Sequence, residues 1–254
     1  MRSASANSSN PLRDSLRATL HGLADPARAA AARSYFKTGP GEYGEGDCFL
    51  GVTVPQVRKL VKTARALDET AIESLLDSSF HEERLLGVFV LVDRAERGDA
   101  ATRKAVFDLY LRRLDAVNNW DLVDSSAPLI IGPVIEGKDG LPSKEGRALL
   151  DRLARSPRLW DRRVAILTTL YFTRAHHFEP LLTLATLLVN DREDLMHKAV
   201  GWMLREAGKK DERVLRGFLR THAATMPRTA LRYAIERLPE SERRRWLEVK
   251  RIGQ

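Results

Sequence analysis

The chain has 254 residues, with 42 basic and 34 acidic side chains, a formal net charge of +8 and 43% hydrophobic residues. That is ample apolar material for a core, in one large domain or two ordinary ones, and the positive excess favours an anionic partner, nucleic acid first. The single cysteine, Cys48, excludes an internal disulfide and fits a reducing compartment. No apolar run reaches the roughly 18 residues that a membrane-spanning helix needs, so a cytoplasmic protein with no membrane partner is expected.

Residues 1–10 are rich in Ser, Asn and Ala and lack an apolar stretch; they read as a disordered tail before a single domain, 11–254. Leu12, Leu16, Leu20 and Leu23 recur at helical spacing, and Pro26 opens a second helix to about Phe36. Gly39 to Asp47 holds four glycines and a proline in nine residues. It reads as a loop, and not one that cradles phosphate, because the Gly-Lys-Ser/Thr ending is absent and its charges are acidic. Thr53 and Pro55 introduce a helix from Gln56 to about Leu67, and a short helix follows near 70–76. Longer helices are predicted at about 81–97, 101–114, 119–131, 143–155, 158–174, 178–189, 193–208, 211–221, 227–238 and 240–250. No segment with strand periodicity competes, so the predicted class is all-α.

Several of these helices set a cation before an apolar run: Arg84, Arg163, Lys198 and, more weakly, the Arg228–Arg232 region. With Asp124 added, positions 84, 124, 163, 198 and 229 step by 40, 39, 35 and 31 residues, the size of a helix-pair repeat. The spacing predicts an α-solenoid of HEAT-like helical pairs, with these positions along one concave, DNA-binding groove. Four of the five are basic or beside a base, and the exception is a carboxylate. Charge is also uneven along the chain. Between Arg213 and Arg251 there are eleven basic and four acidic residues, which suits a phosphate backbone or a solubilising end repeat.

No metal-ligand spacing and no nucleophile signature is present, so no metal or cofactor is expected, and the histidines read as structural or solvated. What remains is an aromatic and charged set: Tyr35, Trp120, Asp124, Trp160, Arg163 and Trp202. In a helix Trp120 and Asp124 share a face, one turn apart. Trp160 is expected to pack in the core. Indole faces attract a cation, a carboxylate stabilises developing positive charge, and arginines hold phosphates. Such a set suits a cationic aromatic ligand attached to a polyanion.

The residues Tyr35-Phe36-Lys37, Phe49-Leu50-Gly51-Val52 with Pro55 and Arg58, Trp120-Asp121-Leu122-Val123-Asp124, Trp160 to Leu167, and Lys198 to Glu206 resemble the AlkD-type DNA alkylation repair glycosylases, a HEAT-like-repeat family. The resemblance runs from about Ala30 to about Tyr233. It implies excision of positively charged N3- and N7-alkylated purines from duplex DNA, without rotating the lesion into a pocket as most glycosylases do. The family's central Trp, Asp and Arg match Trp120, Asp124 and Arg163, and a further Trp and Tyr match Trp202 and Tyr35. Asn119 departs from relatives that carry a second Trp there, and the 39–47 loop looks longer than in some.

The resemblance thus implies that Asp124 stabilises the sugar cation and orients a water, that Trp120 and Trp202 contact the deoxyribose, and that Arg163 holds a phosphate. With no lysine in place of Asp124, no Schiff-base lyase step is expected. Lys198, Arg84, Arg205 and Arg228 are the further residues expected to meet DNA, and the protein is expected to act as a monomer. Two other readings compete: a solenoid that binds damaged or branched DNA without cutting it, and a HEAT-type protein-interaction scaffold.

Overall fold

The structure is a computed structural model that describes residues 10–249. The tail expected at 1–10 lies outside the described residues except for Asn10, whose side chain caps the first helix by accepting from the Arg13 N–H at 3.0 Å. Lys250 and Arg251 of the basic stretch lie outside them too.

In chain order the helices are α1 (Pro11–Gly22), α2 (Pro26–Tyr35), α3 (Val54–Ala64), α4 (Glu69–Leu76), α5 (His81–Arg97), α6 (Ala100–Arg112), α7 (Trp120–Asp124), α8 (Ala127–Ile130), α9 (Gly132–Ile135), α10 (Lys144–Ala154), α11 (Leu159–Arg174), α12 (Glu179–Leu188), α13 (Asp194–Lys210), α14 (Glu212–His222), α15 (Arg228–Ile235) and α16 (Glu240–Glu248). Among the described residues there is no named strand, so the fold is all-α. None of these helices is long and apolar enough to cross a membrane.

One predicted helix, 119–131, is broken into α7 and α8, and α9 follows directly beyond its predicted end. Pro128 and Pro133 have no N–H to give the carbonyls of Asp124 and Leu129, and their rings crowd those carbonyls. Each proline instead sits in the first turn of a new short helix, where a missing N–H is harmless.

The chain forms two compact units, one ending at Leu122 and the other beginning at Val123. In the first, α5 is the centre, packed by α1, α3, α4 and α6. Every residue from His81 to Val92 is buried. A helix enclosed on all sides needs no polar face, and the apolar run Leu85-Leu86 with Val88 to Val92 supplies that surround. In the second unit α11 has the same role, touched by α8, α9, α10, α12 and α13, with Trp160 to Leu170 all buried.

The second unit is layered as a solenoid of helical pairs. Helices α11, α13 and α15 touch in succession, and α10 touches α12 in the other layer. Arg163, Lys198 and Arg228 therefore come from successive helices of one layer, each from the first turn or the start of the second. Gly201 allows the close approach of α13 and α15: a Cβ there would lie 2.4 Å from the Ala230 carbonyl oxygen. This is the physical content of the glycine in the Lys-Ala-Val-Gly-Trp string.

Candidate active site

Asp124 ends α7, and its carboxylate is held edge-on by Arg163 of α11. Arg163 Nε donates to Oδ1 at 2.8 Å and Nη2 to Oδ2 at 2.7 Å, while Nη1 donates to the Leu195 carbonyl at 2.8 Å. A two-pronged guanidinium–carboxylate pair fixes direction as well as charge. Arg163 is buried, and Asp124 keeps 15% of its side chain exposed. The guanidinium that was expected to grip a phosphate is thus committed to aiming the carboxylate and to tying α11 to the start of α13.

The neighbouring residues of α11 anchor its start as well. Trp160 is in the core, as expected. Arg162 makes a second buried two-pronged pair with Asp191, at 2.7 and 3.0 Å, and also donates to the Ser156 and Pro157 carbonyls. Asp161 accepts from the Ser156 hydroxyl at 2.7 Å.

On α13, Lys198 is half-exposed and paired with Asp194 at 2.7 Å; that hydrogen bond holds the Asp194 carboxyl below the usual range. Trp202 donates its indole N–H to Glu206 at 3.0 Å. With Leu170, Thr173, Arg174, Glu206 and Lys210 it lines a cleft of about 540 Å³. Arg205 pairs with Glu206 and Glu236, and Arg228 donates to the Val249 carbonyl at 3.2 Å.

In the first unit, Trp120 lies parallel on Phe36, with centroids 5.2 Å apart and an 8° interplanar angle, and Tyr35 meets it edge-on at 5.9 Å. Tyr35 is 67% exposed. Behind Phe36 lie Phe49, at 4.9 Å, and the ring of His81, which is 4.7 Å from Phe49 and 5.0 Å from Phe36.

Arg84 is a correction. It was expected on the DNA-facing row, but it is buried, donating to Asp47 Oδ1 at 2.6 Å and to the Ser78 carbonyl at 2.8 Å. Its charge neutralises an internal carboxylate rather than facing a phosphate.

The whole first turn of α5 is buried and charged, and His81 in it is structural, one of the two readings the sequence left for the histidines. His81 Nε2 is 2.8 Å from Asp121 and its Nδ1 is 3.3 Å from Asp47. Glu82 accepts from the backbone N–H groups of Leu50, Gly51 and Val52 at 2.9, 2.8 and 3.2 Å. Glu83 accepts from Arg17 at 2.8 Å and lies 3.0 Å from His21 Nε2. The string His-Glu-Glu-Arg heading an apolar run was the available signal, since charges there must be paired if that part of the helix is enclosed. Gly51 is required where Glu82 grips: its φ is +81°, and a Cβ would lie 2.3 Å from the Asp25 carbonyl oxygen.

Asn119, the departure noted from sequence, joins the same cluster. It donates to Asp47 at 3.3 Å and accepts from the Trp120 N–H at 2.8 Å. Burial raises the Asp47 carboxyl, but the His81 hydrogen bond and the charge of Arg84 outweigh it and leave the carboxyl below the usual range. Burial likewise opposes protonation of His81, yet its bonds to Asp121 and Asp47 prevail and push it up to about 9. Among the described residues, no group of three or more His, Cys, Asp or Glu is arranged to hold a metal ion.

Fold and site define a helical-repeat protein with an arginine-aimed carboxylate at the end of a tryptophan-led turn. The model of the DNA alkylation repair enzyme family matches residues 16–238, and the chain belongs to that family; membership implies DNA as its partner. A solved structure described as a predicted DNA alkylation repair enzyme from Enterococcus faecalis is similar in fold. It has a TM-score of 0.63 and 17% identity, and the match covers 86% of this chain and 98% of that one. None of the curated proteins compared with the chain matches it.

Proposed function

We propose that this chain is a monofunctional glycosylase that removes cationic N3- and N7-alkylated purines from duplex DNA. The observation that carries the proposal is the Asp124–Arg163 pair: a carboxylate fixed in direction by two hydrogen bonds, with part of its surface still open. A phosphate-binding surface has no use for an exposed carboxylate. A sugar on which positive charge develops does, because a preorganised opposite charge is worth more in the transition state than in the ground state.

In this reading the C1′–N bond breaks, and its electron pair leaves with the base, cancelling the positive charge put there by alkylation. No proton donor is therefore needed for the leaving group. Water then adds to C1′ and gives its proton to Asp124 and on to solvent. Trp120, one turn before Asp124 in α7, is assigned to the deoxyribose with Trp202, by attraction between an indole face and a cation. Tyr35 is assigned to the substrate beside Trp120. Arg163 is a positioning residue for Asp124. Lys198 and Arg205 from α13 and Arg228 from α15, neighbouring helices of one layer, are assigned to the phosphate backbone. A carboxylate cannot form a Schiff base, so the product is an abasic site with the strand intact.

The test is release of 3-methyladenine and 7-methylguanine from methylated duplex DNA, followed by gel analysis with and without alkali. Release with strand breaks only after alkali supports the proposal. Tight binding of the duplex with no base released would overturn it in favour of a non-catalytic damage binder.

A further inference from the structure

Trp120 is held from both sides in sequence by one buried ionic cluster. Asn119 accepts its backbone N–H and donates to Asp47. Asp121 is bonded to His81. The indole itself rests on Phe36, which in turn leans on the His81 ring. The charged and titratable groups that face His81 are Asp47 from the 37–53 loop, Asp121 from the start of α7, and Arg84 from its own helix.

Both ring nitrogens of His81 point at carboxylate oxygens. A neutral imidazole has one N–H and one lone pair, so in that form one nitrogen would turn a lone pair toward a carboxylate in a buried place. Only the imidazolium satisfies both contacts. It also leaves the group of Asp47, Asp121, Arg84 and His81 with no net charge, the arrangement burial favours.

We propose that His81, in its imidazolium form, is the positioning residue for Trp120, so that placement of the indole depends on a proton some distance from the reacting atoms. Loss of that proton leaves one N–H for two carboxylates, so His81 can no longer bond Asp47 and Asp121 together, and the Asn119–Asp121 segment that carries the indole loosens. Since protonation persists to about 9, the indole is fixed across neutral pH and released on the alkaline side. The consequence for base excision rests on the function proposed above. The placement of the indole does not.

The experiment uses the full chain labelled with ¹⁵N-tryptophan, the Trp120 indole resonance being assigned with Trp120→Phe. In the native protein that resonance is expected to shift in a single step centred near 9, while the buried Trp160 stays put and circular dichroism is unchanged. In His81→Gln the resonance is expected to be displaced already at pH 7 and to have lost the step. If that variant does not fold, Asp121→Asn serves, and is expected to move the midpoint down. Tyr35→Phe removes the neighbouring phenol as a source of the shift and should keep the step. A Trp120 resonance that does not move between pH 6 and 10, or that moves alike in the native protein and the His81 or Asp121 variant, would overturn the inference. Excision rates over the same range form a separate arm. A fall in turnover at the same midpoint joins the two proposals, and the absence of any excision refutes the reaction while the spectra still decide the positioning.

Discussion

In the first turn of α5, the carboxylate of Asp47 is met by Arg84 and His81 and is sealed, with 4% of its side chain exposed. The carboxylate of Asp124 is met by Arg163 from the start of α11, edge-on, and keeps 15%. Both helices are enclosed by apolar neighbours, and both begin with charges that are tolerable only because they are paired. The difference lies in what pairing leaves over. A carboxylate closed in by cations from two directions can hold segments together but cannot meet a ligand. One aimed edge-on by a guanidinium and left 15% exposed is oriented and still reachable, as an electrostatic catalyst must be.

The largest expected effect tests the open pair. Asp124→Asn keeps shape and loses charge, and excision should fall by about 10²–10³-fold, the range for removing one preorganised electrostatic partner, with duplex affinity in a filter or anisotropy assay little changed. An unaltered excision rate would end the assignment of Asp124. The sealed pair should respond in stability instead. Asp47→Ala leaves Arg84 and His81 buried with their shared partner gone, and denaturant unfolding should register a loss of about 3–5 kcal/mol; a loss under about 1 kcal/mol would mean that the cluster is not sealed.

A smaller effect comes from pH alone. His81 is raised from 6.5 to about 9 on folding, so its contribution is fully present below 6.5 and is lost as pH rises through 9. Asp47 is lowered, so its contribution is present above the ordinary carboxylate range and disappears only in acid, as pH falls through its folded value. Urea midpoints should therefore be highest between these limits and decline from about pH 6.5 toward 9. A midpoint still rising across that interval would contradict a charged His81. Least of all, Lys198→Ala should weaken duplex binding modestly and reduce the slope of log affinity against log salt by about one.

The helical plan was legible because apolar spacing states which face is buried. The helix predicted at 81–97 is α5 to the residue, and those starting near 158 and 193 are α11 and α13. The carboxylate and arginine of the site were legible at repeat spacing, 39 residues apart. The break of 119–131 could have been foreseen from Pro128, but the apolar run across it masked it. Arg84 was misjudged for a deeper reason. A cation at a helix start looks the same in sequence whether its partner is solvent or an aspartate 37 residues earlier, and only the fold brings Asp47 there. His81 was hidden likewise, since its two partners lie 34 residues before it and 40 after.

The grip of Glu82 on the Leu50, Gly51 and Val52 amides couples two parts of the chain in time as well as in space. Those three N–H groups belong to a loop, yet they are buried and bonded to the first turn of a central helix. Their hydrogens can exchange with solvent only when that turn opens, so the loop inherits the opening free energy of α5 rather than that of an ordinary surface connection. Residues 50–52 and the start of α5 thus form one cooperative unit, and a protease that cuts exposed connections should find this stretch of loop as resistant as helix.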